Sequence, residues 1–222
     1  MKRKVLKINA VMVCACLLIG FMSFSASAHE VLPNHRWAVM SKVGTIFRCN
    51  LSIDGGALDS NWSLVFTDAR NNWNNNSNSR VSCTVGQASN STENIYLSTW
   101  KLSASQWDAT YGASTIAITL TRASRSSTVV CADSYPNCAT RIKYAAIHFT
   151  TRSIFSVNGT SYSLTKADRT KTMVHEIGHA LCLGHPSSTT TSIMRQGVML
   201  GITTPQDHDR NDLAVYYNQL YS

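Results

Sequence analysis

Charge is scarce in this sequence. Of its 222 residues, 14% are Asp, Glu, Lys or Arg and 44% are apolar, a balance that excludes an intrinsically disordered chain. Eleven glycines and four prolines are too few for a collagen-like or Pro/Gly-rich protein. Long apolar runs are absent after the first 28 residues, so no later segment can span a bilayer. Acidic residues number only 12 against 20 Lys and Arg, a formal charge of +8. Four of those cations, Lys2, Arg3, Lys4 and Lys7, fall in a segment expected to be removed, which leaves 16 basic against 12 acidic residues, or +4. That excess is scattered and gives no nucleic-acid footprint. The length suits one or two compact domains with a sizeable core.

Residues 1–28 read as an export signal. Lys2-Arg3-Lys4 is followed by an apolar run from Ile8 to Phe24 and by Ala26-Ser27-Ala28, the small residues a signal peptidase requires. The rival reading is an N-terminal membrane anchor. The run is short for a spanning helix and ends in small polar residues, which favours cleavage after Ala28. The expectation is a secreted, extracellular protein, monomeric and without membrane contact once the signal is gone.

Seven cysteines divide into Cys14 and Cys16 in the signal and five beyond it. In an oxidising compartment disulfides are expected. Cys131 and Cys138 bracket a short segment containing Pro136-Asn137, suited to a turn, and Cys49 with Cys83 is the natural second pair. Four cysteines allow three connectivities, so this pairing is a preference. Cys182 is left over.

The rest reads as one α+β domain. Trp62, Val65, Phe66, Ala69 and Trp73 recur at helical spacing, which predicts an amphipathic helix over 60–74. Alternating or β-branched runs predict strands at 93–99, 114–122 and 143–151, with one more within 42–53. A second helix is predicted over about 166–182, with Thr165 and Asp168 as a capping box and Met173, Val174, Ile177, Ala180 and Leu181 facing the core. A third begins near Thr204-Pro205, with Thr204 as N-cap and Asp207 and Asp209 at the positive end of its dipole.

The chemistry lies at 175–185, where His175-Glu176-Ile177-Gly178-His179 carries H-E-x-x-H. Residues four apart share one helix face with about 6 Å of axial rise between them, so two imidazoles can grip one ion. Glu176 projects beside that face, where it can hold a water without being a ligand. His185 lies too far along to share the helix, so the chain must turn back after about residue 182 and bring a third nitrogen. Three histidines leave a fourth tetrahedral position open, a catalytic rather than a closed structural arrangement.

Adding Gly184-His185 and, nine residues beyond His185, Met194 in Ser192-Ile193-Met194, the stretch resembles the metzincin zinc peptidases, whose pattern is H-E-x-x-H-x-x-G-x-x-H followed by a methionine turn. The short gap to the methionine is most similar to the matrixin (matrix-metalloproteinase-like) branch. Only residues 175–194 are specific, although the helix ending at Trp73 and the segment from Thr204 to Tyr217 also fit. The resemblance implies His175, His179 and His185 as zinc ligands, Glu176 as general base and Met194 as an apolar floor beneath the metal. It implies a twisted mixed sheet with two long helices, an upper subdomain of about 29–185 and a small lower one of about 186–222 below the cleft. It implies a zinc endopeptidase acting on protein or peptide substrates, with 114–122 as a candidate edge for an extended substrate. Calcium is common in the matrixin branch and stays open as a second ion, although no Asp-rich loop of the EF-hand kind is present and Asp54-Gly55-Gly56 is too slight alone.

Two positions depart from the family pattern. Position 182, where the family has glycine at the helix end, is cysteine, a strained spectator by default, otherwise a disulfide partner or a thiol that ligates or inhibits. Arg195-Gln196 follows Met194, so the tyrosine that some metzincins place two residues later is missing, and transition-state stabilisation would fall to zinc and backbone groups. Two rivals of another class follow: a catalytically inactive zinc-binding or adhesion module of the same fold, and a carbohydrate- or surface-binding domain built on the five tryptophans. His29, His35, His148 and His208 lack partners at ligand spacing, with a site including His148 left open.

Overall fold

The computed structural model describes residues 37–219 apart from 38–39, 44–45, 75–80, 88–93, 101–102, 125, 127–141, 158, 187–189 and 197–200. The signal segment 1–28 and the expected Cys131–Cys138 bridge lie outside the described residues.

The order is β1 (Met40–Val43), β2 (Ile46–Ala57), α1 (Ser60–Asn74), β3 (Val81–Gln87), β4 (Ile95–Thr99), α2 (Ala104–Tyr111), β5 (Ala117–Arg122), β6 (Tyr144–Phe149), β7 (Ile154–Val157), β8 (Thr160–Ser163), α3 (Lys166–Ala180) and α4 (Asp207–Gln219). Six strands form a mixed sheet in the order β1-β2-β4-β6-β5, with β3 also pairing β2, while β7 and β8 make a separate hairpin. β3 and β4 run parallel to β2 and β6 parallel to β4, whereas β1 and β5 are antiparallel to their neighbours. The architecture is α+β, as the sequence pattern implies. The register sets Cys49 opposite Cys83 across β2 and β3; the side chains of both cysteines lie outside the described part.

Helices α1 and α3 pack against each other and against the sheet. The stripe Trp62, Val65, Phe66, Ala69 and Trp73 of α1 is buried, as is Met173, Val174, Ile177 and Ala180 of α3. β6 (Tyr-Ala-Ala-Ile-His-Phe) is buried along nearly all its length, as expected of a central strand covered on both faces. Trp37, Trp62, Trp73 and Trp107 are 0–2% exposed, and each indole N–H donates to a backbone carbonyl: of Ala180, Thr150, Val174 and Thr115 respectively. Four of the five tryptophans are therefore core, with satisfied donors, and offer no surface platform for a sugar.

Three expectations needed revision. The 42–53 region holds two strands, not one. Elements β3, α2, β7 and β8 were not anticipated: α2 buries only Trp107 and β8 is exposed throughout, so neither carries an apolar period. Helix α4 starts at Asp207, not Pro205. Its first intrahelical acceptor is Gln206, whose carbonyl takes the amide of Arg210 (3.1 Å), and the Asp209 carboxylate reaches back to the Gln206 amide (2.6 Å). That bond is one half of a capping box, with Gln206, not Thr204, at the N-cap; the Gln206 side chain instead donates to Thr204 O (2.7 Å).

Candidate metal centre

Helix α3 delivers two of the three histidines. Its start is fixed as the sequence implies: the Thr165 hydroxyl accepts the Asp168 amide while Asp168 accepts the Thr165 amide (2.9 Å). From there the 3.6-residue period puts His175 and His179 one turn apart on one face. The helix ends at Ala180, ahead of His185. Cys182 adopts φ 73°, its amide donates to His179 O (2.9 Å), and the next amide, Leu183, donates to Gly178 O (3.0 Å). These are the two bonds of a Schellman motif, with Cys182 at the left-handed position that favours glycine. Cys182 is fully buried, and the reversal it makes carries His185 back over α3.

The three imidazoles meet. His179 Nε2 lies 3.1 Å from His185 Nε2, which lies 3.2 Å from His175 Nε2. The outer nitrogens of two rings are already engaged: His175 Nδ1 donates to Ile193 O and His179 Nδ1 to Leu183 O, both at 2.8 Å. A carbonyl only accepts, so both Nδ1 atoms carry the proton and, in the neutral rings, both Nε2 atoms present lone pairs. Burial, reinforced by His179, His185 and Lys171, holds His175 well below its ordinary pKa, which keeps it neutral and able to ligate. His185 Nε2 can donate to at most one of the other two. The cluster therefore brings together more acceptors than donors, an arrangement a cation resolves. Nitrogens about 2.0–2.1 Å from a tetrahedral ion stand about 3.3–3.4 Å apart, close to the spacings seen, so the residues fit a bound metal. Among the described residues this is the one group of three or more His, Cys, Asp or Glu side chains that converges.

The remaining walls hold the histidines in place. Ser192–Arg195 forms a turn, the Arg195 amide donating to Ser192 O (3.4 Å) and the Met194 amide to Ser192 Oγ (2.8 Å). Met194 is fully buried, and a Cβ placed on Gly178 would stand 2.2 Å from its Sδ. The thioether thus presses on α3 at the turn between His175 and His179, and glycine is required there for contact rather than for its backbone freedom. Asp209, fully buried at the start of α4, accepts the Ile193 amide (2.9 Å) and the Ser192 hydroxyl. A line of bonds therefore runs from α4 through Ile193 to His175. The sequence reading assigned Asp209 to the helix dipole alone and missed this link, for which the spacing offers no signal.

Glu176 is 7% exposed, next to His175 on α3. Burial pushes its carboxyl up to about 7, opposed by a hydrogen bond from Thr119. That threonine, on β5, was also missed by sequence reading; its hydroxyl stands 2.6 Å from Glu176 Oε2 and 3.0 Å from Glu176 O. Lys171, one turn before His175, is 8% exposed, and burial lowers its pKa.

Other candidates fall away from this point. His148 Nδ1 lies 2.8 Å from Ser98 Oγ and its ring sits edge-on to Trp100, and among the described residues it joins no cluster of metal-ligating side chains. His208 faces Asp212 at 3.2 Å. Asp54 turns its carboxylate onto the Gly56 amide (2.8 Å), within β2 where its register with β4 shifts. His29 and His35 lie outside the described residues. Comparison with models of known protein families and with curated proteins gives no match.

Proposed function

We propose that the chain is an exported zinc-dependent endopeptidase of the metzincin type, matrixin-like, with His175, His179 and His185 as ligands and Glu176 as general base. The observation that supports it most is the convergence of three imidazole nitrogens, with the buried Glu176 next to His175 on α3. Nitrogen donors with one tetrahedral position left open suit zinc. Zinc in this place would supply Lewis-acid polarisation of a peptide carbonyl and lower the pKa of the attacking water to about 7. Glu176 would take a proton from the attacking water as its oxygen adds to the carbonyl carbon. It then gives the proton to the amine nitrogen as the C–N bond breaks, so no net proton is gained or lost. His175 and His179 are held in one tautomer by Ile193 O and Leu183 O, which orients them and raises their basicity. β5 ends the sheet and pairs with β6 alone among the described residues, so an extended substrate can add beside it as a further strand.

Export rests on residues 1–28; among the described residues no helix is long and apolar enough to cross a membrane. A second reading, a zinc-binding module of the same fold that cleaves nothing, has the strained Cys182 in its favour. The two part on one experiment. The purified 29–222 protein, with its metal content measured, is incubated with unfolded proteins, with and without a zinc chelator. Cleavage stopped by the chelator and restored by zinc is expected. One bound zinc without cleavage would favour the module, and cleavage indifferent to chelation would overturn the zinc reading.

A further inference from the structure

Glu176 must present one carboxylate oxygen to a reacting water in a constant direction, yet a glutamate side chain has three rotatable bonds. The structure shows what removes that freedom. Thr119 Oγ1 sits between the side chain and the main chain of Glu176, 2.6 Å from Oε2 and 3.0 Å from the residue's own carbonyl. A hydroxyl has one proton, and the shorter contact, to a carboxylate oxygen, is the charge-assisted one. No other hydrogen bond to the Glu176 carboxylate is formed among the described residues, so Oε1 is left for other work.

Thr119 is itself well fixed. It stands in register with Ile147 of β6, a fully buried core strand residue, and β5 packs against α3. A β-branched side chain has few χ1 choices, so the strand sets the position of the hydroxyl to within the stiffness of the sheet. Alternation places Ala117, Thr119 and Thr121 on one face of β5, and of these Thr119 is the one that reaches α3 at Glu176.

We infer that Thr119 is a positioning residue for the general base: its hydroxyl anchors Oε2 and so commits Oε1 as the oxygen that receives and returns the proton. The inference rests on the peptidase reading for the role of Glu176, but not for the contact itself. It also makes β5 a shared element, since the strand that would line an extended substrate is the one that aims the base.

The test compares Thr119→Val, which keeps the shape and removes the hydroxyl, with Thr119→Ser, which keeps the hydroxyl. In the zinc-loaded protein, Thr119→Val should lower kcat about ten- to hundred-fold, the value of one hydrogen bond to a charged group, with KM and zinc content unchanged. Thr119→Ser should stay within about three-fold of the parent, since the bond is retained. In the metal-free protein, the Glu176 carboxyl carbon resonance, identified by its loss in Glu176→Gln, should move in Thr119→Val and hold in Thr119→Ser. A valine variant with parental kcat, or a serine variant as impaired as valine, overturns the inference. So does a resonance that ignores the hydroxyl. If the parent cleaves nothing, the peptidase reading and with it the positioning role fall, while the resonance still reports whether the contact exists.

Discussion

Cys182 offers the sharpest test of how the site is built, because burial and backbone conformation there predict opposite things. Its φ of 73° lies in the left-handed region, which costs a residue with a Cβ about 1–2 kcal/mol. Its side chain is fully buried, so trimming it loses apolar contact worth roughly 0.8 kcal/mol per methylene-sized group. Consider Cys182→Ala and Cys182→Gly side by side. At an ordinary helical position alanine is the more stable by about 0.5–1 kcal/mol, and burial of its methyl adds to that margin. At a left-handed position the order reverses, and glycine is expected ahead by about 1 kcal/mol. Alanine retains the strain and loses the sulfur, so it should fall below the parent, whereas in glycine relief and loss nearly cancel. Urea unfolding of the metal-free proteins reads the difference without the contribution of metal binding. In a chain of this size about 1 kcal/mol corresponds to about 2–4 °C in Tm. Alanine ahead of glycine by the ordinary helical margin would refute the strained-turn account. Because this turn also places Leu183 O against His179, both variants should keep their zinc.

Three further outcomes follow from the same geometry. Gly178→Ala should lose about 1–3 kcal/mol through overpacking against Met194 and Trp73, although alanine is the better helix former; a gain of stability in urea unfolding would contradict the contact with Met194 Sδ. Asp209→Asn should cost about 2–3 kcal/mol by weakening charged hydrogen bonds to the methionine turn, and should weaken zinc affinity about ten-fold or more through Ile193 and His175; unchanged affinity in a metal titration would break that link. His148 is held down to about 4 from 6.5, by burial first and Arg122 second. Between those values the unfolded chain binds more protons than the folded one, so stability falls as the pH drops from 6.5 towards 4. The loss is at most about 3 kcal/mol, reduced by partial solvent access. His148→Gln should flatten that slope in pH-dependent unfolding, and an unaltered slope would place the proton elsewhere.

The parts of the fold that were legible in the sequence carry a period or a cap. The stripe from Trp62 to Trp73 gave α1, and the Thr165/Asp168 pair gave the start of α3. The histidine spacing marked the three-histidine cluster because a helix and one reversal suffice to close it, and that reversal falls at Cys182 as the pattern implied. What was not legible depends on contacts between distant segments. Thr119 and Glu176 are 57 positions apart, and nothing in the alternation of β5 distinguishes Thr119 from Thr121. Asp209 resembled an ordinary first-turn acid, yet its partners Ser192 and Ile193 come from the methionine turn. The start of α4 was misplaced for the same reason: Pro205 suits a first helical position, but the buried Asp209 carboxylate selects Gln206 as the cap.

The most direct measurement is paired metal analysis and turnover for the parent protein and Glu176→Gln, prepared identically and loaded with one equivalent of zinc. The account predicts equal zinc in both, chelator-sensitive cleavage of unfolded protein by the parent, and none by the variant. Parental cleavage by Glu176→Gln, with zinc in place, would contradict it.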